Sequence, residues 1–317
     1  VAILYNKLSA MVGGAQPSLS RLGNANRDSM MGLHRVFFEA NIPVDFVGPE
    51  QVAGDKLSAY KILFLPFPVM LPRDVAAGVQ RYIENGGAVV AEARLAWNDE
   101  RGLAADTIPG FGLDRVFGAR ERVMRPVEKV HIQPAGEWLA PRQAPPGTPA
   151  HPLAGEGFEE ELAPKPGAEV LARFASGAPA IVSNRFGRGR AVLIGTFAAA
   201  AYQRQAAPIT PEGAQIANLF RTLAREAGVQ SLSEAAGPGS AEVEVRRLLG
   251  AGYQFVFVFN HAAVAADASI SFPVELGHRA RDVTTGADVS FNWQHSMGIF
   301  RRKLAPGETW VLRVGKP

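Results

Sequence analysis

The sequence predicts an α/β protein, a parallel sheet flanked by helices, followed by a small antiparallel β-domain. Two observations carry this. Up to Ala91, short apolar runs alternate with segments of helical period, joined by short links. After Ser233 the helical period disappears, and only short, partly alternating runs with turn residues between them remain.

The elements follow in order. "VAILY" (1–5) is the apolar run of a strand buried on both faces, and a Gly-, Ser- and Asn-containing loop to about Asn26 comes next. Asp28 or Ser29 then caps a helix whose Met30, Leu33, Phe37 and Ala40 fall at helical spacing, and Pro43 cannot continue it. "VDFV" (44–47) and "KILFLPFP" (61–68) are the second and third strands. Pro72 opens a helix with Val75, Val79, Tyr82 and Ile83 on one face, closed by Asn85-Gly86-Gly87. "AVVAEA" (88–93) is the fourth strand.

From Leu103 to about Gly177 the pattern loosens and prolines recur, among them Pro141, Pro145, Pro146 and Pro149. The expectation there is a surface excursion with a few short strands, "EKVHIQ" and "EVLARF". Two apolar runs around "FGRG" (186–189) then read as a hairpin. Thr210 caps a helix opened by Pro211, with Ile216, Leu219, Phe220 and Leu223 inward and Gly228 as its stop. "SEAAGPGSAE" (233–242) has the composition of an interdomain linker. The expected domains are therefore residues 1–232, with the excursion at about 103–177, and residues 241–317.

Composition narrows the chemistry. The 317 residues contain no cysteine, which excludes disulfides, thiolate zinc sites and thiol nucleophiles. The net charge of +3 is too small and too evenly spread to argue for nucleic acid. Arg246-Arg247 and Arg301-Arg302-Lys303 read as solvated strand positions. No apolar run is long enough to span a bilayer. The chain opens on a strand without an initiating Met, as a piece of a longer polypeptide would.

Neither a dinucleotide glycine pattern nor a P-loop is present, and no G-x-S-x-G elbow occurs. The histidines, His34, His131, His151, His261, His278 and His295, show no metal-binding pair spacing, so no metal or cofactor is expected. Asp99-Glu100 and Glu159-Glu160-Glu161 read as acids adjacent in sequence and facing water. In open α/β sheets ligands collect at the carboxyl ends of strands. That rule selects Asn6, Glu92, Arg94, Trp97 and Thr196 as candidate ligand or interface residues, with Trp97 as a platform for a sugar. Glu92 and Arg94, two apart on an extended segment and so on the same side of it, are expected to lie close to each other, or to a loop or neighbouring subunit.

The stretches "LHRVFFEANIPVDFVGPEQV", "YKILFLPFPVMLPRDVAAGVQRYIENGGAVVAEARLAWNDERG" and "FGRGRAVLIGT" resemble the trimerisation domain of glycoside hydrolase family 42 β-galactosidases. The chain from Ala241 to Val314 resembles the small β-domain that ends those enzymes. The resemblance implies a sheet like that of class I glutamine amidotransferases (flavodoxin-like), a homotrimer, a cytoplasmic bacterial protein of carbohydrate metabolism, and a catalytic barrel upstream. It supplies no catalytic residue, because the family's two glutamates lie on that barrel and the amidotransferase nucleophile is a cysteine. Three hypotheses result: a non-catalytic assembly portion, a stand-alone sugar-binding module, and an enzyme using a Glu or Asp with a water.

Overall fold

A computed structural model describes residues 1–15, 24–140, 150–206, 209–231, 233–274, 279–294 and 296–315. Pro141, Pro145, Pro146, Pro149, His278 and His295 lie outside them. The described residues form two compact units, Val1–Val36 with Val44–Val229, and Phe37–Pro43 with Gln230–Pro317.

The first unit is built on a nine-stranded sheet. Its strands are β1 (Ala2–Leu4), β2 (Asp45–Val47), β3 (Ile62–Leu65), β4 (Ala88–Ala91), β5 (Ala119–Pro134), β6 (Leu153–Pro164), β7 (Glu169–Phe174), β8 (Pro179–Phe186) and β9 (Gly189–Ile194). Their order is β2-β1-β3-β4-β9-β8-β7-β5-β6. The first five strands in that order are parallel, and the remaining pairings are antiparallel. The expected parallel sheet is thus one half of a mixed sheet.

Helices cover both faces of the parallel half, and the alternation of strand side chains shows how. Leu63 and Leu65 of β3 pack with Val75, Ala76, Val79 and Ile83 of α4 (Arg73–Glu84) and with Val52 of α3 (Pro49–Ala53). Two short helices, α5 (Leu113–Val116) and α6 (Ala198–Gln203), follow β4 and β9 in the chain. Phe64, between Leu63 and Leu65, meets Phe220 of α7 (Pro211–Glu226) edge-on at 5.9 Å on the other face. Thr210 caps α7 by accepting from the Gly213 N–H, as its position before Pro211 predicts.

Three expectations need correction. The early loop contains α1 (Lys7–Ala15), and α2 (Ala25–Glu39) begins before Asp28, which lies in its first turn. The start signal for α1 is Asn6, whose Oδ1 accepts from the backbone of Leu8 and Ser9.

The surface excursion is also different. It supplies β5, sixteen residues long, and β6, twelve residues long. Their alternation is interrupted by register shifts between Glu121 and Val123 and between Val127 and Val130, and by Pro126, so the period of two does not read through. Glu159–Glu161 sit on β6, and Glu160 and Glu161 are buried. Finally, the linker stretch contains β10 (Glu234–Ala236), which pairs with a strand of the second unit.

The second unit consists of two antiparallel sheets. One holds β10, β13 (Ala266–Pro273), β17 (Met297–Leu304) and β16 (Asn292–Gln294). The other holds β11 (Val243–Gly250), β12 (Tyr253–Asn260), β18 (Thr309–Gly315), β14 (Ala280–Asp282) and β15 (Asp288–Val289). Alternate residues, Val256 and Val258 of β12, Ile270 and Phe272 of β13, Phe300 of β17 and Trp310 and Leu312 of β18, fill one apolar core. Among the described residues no helix is long and apolar enough to cross a membrane.

Candidate functional site

Strands β1, β3, β4 and β9 are parallel and end at one edge of the sheet. The five candidate residues follow those ends. In an open sheet the space there would be a crevice. Here β6, the last strand of the order, closes over it. The Glu160 N–H donates to Gly195 O at 2.9 Å, just past the end of β9. The Phe197 N–H donates to Glu156 O, and the Thr196 hydroxyl donates to the same oxygen at 3.0 Å. This approach requires two glycines. A Cβ on Gly195 would run into the carbonyl of Glu160, and one on Gly155 into the side chain of Thr196.

β6 carries two acids, Glu156 and Glu160, into this joint. Beside it Phe197 meets Phe67 and Phe158 at tilted angles, with centroids 4.8 and 5.7 Å apart, and with Ala25, Val69, Ala93 and Ala200 they make an apolar wall against which Trp97 packs. The low-dielectric surroundings penalise charge.

Glu92 is wholly buried, and burial pushes its carboxyl up to about 7. The N–H groups of Ala199 (2.8 Å) and Phe67 (3.2 Å) donate to its two oxygens and work in the opposite direction. Glu92 therefore ties together the segments that leave β3, β4 and β9.

Arg94 does not pair with Glu92. Its φ is +62°, which turns the chain out of the extended conformation in which residues two apart share a side. Its guanidinium pairs with Glu121 of β5 and lies 3.9 Å from the Trp97 ring centroid. Its N–H donates to Glu160 at 2.6 Å. Burial, then the charge of Glu121, pushes the Glu160 carboxyl up to about 8. Burial likewise raises Glu156, opposed by Arg204 at 3.4 Å.

The other candidates are engaged too. Asn6 is buried, and its amide donates to Ser9 and to the carbonyl of Met70. Thr196 is buried, and its hydroxyl is spent on Glu156 O. One face of Trp97 carries the Arg94 guanidinium, so that face is no sugar platform. Asp99 is held below the usual range: burial works against its charge, but the N–H groups of Leu103 and Arg101 and the Arg73 side chain prevail. The structure brings Glu92, Arg94, Trp97 and Thr196 into one joint, with Asn6 in a separate contact between α1 and Met70.

Sequence reasoning missed Glu121, Glu156 and Glu160, the partners of the joint. The available signal was "GEG" (155–157), where an acid flanked by glycines marks a close backbone approach. Among the described residues no three His, Asp or Glu side chains cluster in a way that would hold a metal. Glu92, Glu156 and Glu160 each engage backbone or arginine, while Glu156 Oε1, Glu160 Oε1 and Arg94 Nε are buried without a hydrogen-bond partner. Chemically, the joint braces.

Comparisons with known proteins bear on family and fold. Residues 1–230 match the family model described as the β-galactosidase trimerisation domain. A β-galactosidase of Heyndrickxia coagulans is 27% identical over 240 residues, covering 73% of this chain and 30% of the relative. One of Planococcus sp. (strain 'SOS Orange') is 25% identical over 287 residues, covering 86% and 37%. The chain thus spans about a third of the length of the curated relatives it matches.

Among solved structures, a family 42 β-galactosidase of G. stearothermophilus superposes with a TM-score of 0.75 at 18% identity, over 99% of this chain and 40% of that one. A β-galactosidase of Bacillus circulans sp. alkalophilus gives 0.73 at 21% identity, over 98% and 41%. The family model covers well over half of the sequence, and this chain belongs to the β-galactosidase trimerisation domain family.

Proposed function

We propose that this chain is the non-catalytic assembly portion of a larger β-galactosidase-like glycoside hydrolase. It self-associates as a trimer and attaches to a catalytic barrel elsewhere in the parent polypeptide. The observation that carries the reading is the match of residues 1–230 to the trimerisation domain, together with the third of its relatives' length that the chain spans. In this reading residues 1–232 are the assembly domain, with a sheet related to that of class I glutamine amidotransferases, and residues 241–317 are a small accessory β-domain. The turn after β4, where such a fold would hold its nucleophile, carries Arg94 at positive φ instead. Glu92, Arg94 and Thr196 brace the strand ends. A cytoplasmic location accompanies the reading.

The stand-alone sugar-binding reading is not favoured, since the strand-end groups it would use are engaged by the protein's own backbone and side chains. Light scattering tests the proposal: at micromolar concentration the chain should show three times its 33.8 kDa. A clean monomer would contradict it. A chromogenic galactoside assay on the same sample should be blank, and turnover abolished by Glu92→Gln would overturn the non-catalytic part.

A further inference from the structure

Every exposed large apolar side chain within the family-matched residues raises the question of what covers it. Two of them stand together at the parallel edge of the nine-stranded sheet. Phe46 is on β2, the edge strand, and is 44% exposed. Met31 is on α2 and is 38% exposed. His34, one turn further along α2, stacks on Phe46 with centroids 5.9 Å apart and planes 15° from parallel, which joins the two. Tyr5, 44% exposed, follows neighbouring β1, and its N–H donates to Val47 O of β2.

The pattern on α2 departs from that of a solvated helix. Leu33, Val36 and Phe37 are buried, so the core-facing stripe is already complete. Arg27, Met31 and His34 line the outward side, where charge would normally dominate. Native edge strands are commonly protected by charge, proline or a covering element. Within β2 only Asp45 supplies charge, and Phe46 lies beside it. Clustered apolar surface of this kind marks a contact site.

We propose that the outer edge of β2 and the outward side of α2, centred on Met31 and Phe46, form part of the contact between copies of this chain. The inference rests on the assembly reading above and deepens it by naming the surface. The occupant follows from the location: the edge belongs to residues 1–230, which match a domain described by trimerisation. A three-fold ring is heterologous, so this surface meets a different one on the neighbouring copy.

The test uses the full chain and its lack of cysteine. Light scattering is run on the wild type, on Met31→Glu/Phe46→Glu, and on the milder Met31→Arg, with circular dichroism to confirm folding. A wild-type trimer that falls to one third of its mass in both variants supports the proposal. A wild-type trimer that persists in the folded variants overturns the surface and leaves the assembly reading standing. A monomeric wild type overturns both. If Met31→Glu/Phe46→Glu does not fold, Met31→Arg decides alone. Independently, Met31→Cys should react with a maleimide at least tenfold more slowly in the trimer than Glu169→Cys, an exposed position on β7. Equal rates contradict the proposal.

Discussion

The two units solve the same problem with opposite materials. The second unit keeps its core apolar, with Val256, Phe272, Phe300 and Leu312 inside, and the one carboxylate buried among its described residues, Asp282, held low. Asp282 accepts from the N–H groups of Thr284 and Thr285, from Trp310 Nε1 at 2.8 Å, and has Arg302 beside it. The first unit buries Glu92, Glu156 and Glu160 where burial outweighs their partners, and every carboxyl raised among the described residues is there. The difference teaches where a polar core comes from. A sandwich closes on alternating apolar faces. An open α/β sheet leaves a crevice at its strand ends, and β6 fills this one with backbone, aromatic rings and acids.

The comparison can be broken most severely at the closest approach. Gly195→Val places a branched side chain against the carbonyl of Glu160. It should cost about 4 kcal/mol or more, enough to leave the first unit unfolded or insoluble. Calorimetry should then show the second unit's transition surviving. Loss of both would show that the units are not independent.

Next comes Arg94→Ala. It removes the cation paired with Glu121 and exposes one face of Trp97, while the backbone N–H that Glu160 accepts from remains. A loss of about 3 kcal/mol is expected in denaturant unfolding, because the Glu121 carboxylate stays behind without its counter-charge. A loss below half a kcal/mol would mean that the arginine is ornamental.

In the second unit, Asp282→Asn removes a carboxylate that accepts from Trp310 and two backbone N–H groups. The expected cost is about 1–2 kcal/mol at neutral pH. The folded-state pKa of Asp282 is depressed, chiefly by the Thr285 N–H. Its stabilisation is therefore present above the ordinary value of 3.8 and lost as pH falls through the folded value. The variant should melt with a flatter acid limb than the wild type. Smallest of all, Thr210→Ala loses only the cap of α7, about 1 kcal/mol, visible as a modest drop in melting temperature.

How far the sequence could be read follows the same division. The second unit was legible almost strand by strand, since "YQFVFVFN" alternates and the burial of β12 alternates with it. The parallel half of the first unit was legible from its apolar runs, and α7 from Thr210-Pro211. β5 and β6 were not. Register shifts interrupt the period of β5, and the acids of β6 imitate a solvated loop while Glu160 and Glu161 are buried. Glu161 is stabilised in place by Arg125 and Arg122, which hold it below the usual range. Of the site, the position of Glu92, Arg94, Trp97 and Thr196 at the strand ends was legible. Their partners were not, because Glu121 and Glu160 come from strands far along the chain, and the positive φ at Arg94 cancels the pairing that an extended segment would give.

The central claim is that the strand-end acids brace a filled joint. Its most direct test is the melting temperature of the first unit between pH 5 and 9, for the wild type and for Glu160→Gln. Glu92 and Glu160 have folded-state pKa values raised from 4.5 to about 7 and about 8. Their contribution is fully present below about 4.5 and is lost as pH rises through those values. The wild type should therefore weaken as pH rises from about 5 to about 8 and level off above that. The amide introduced by Glu160→Gln keeps an acceptor for the Arg94 N–H and supplies a donor to Glu121 without a charge. The variant should therefore melt higher at pH 9, by about 2 kcal/mol of stability, and match the wild type near pH 5. Parallel curves, or a variant destabilised equally at every pH, would contradict the account.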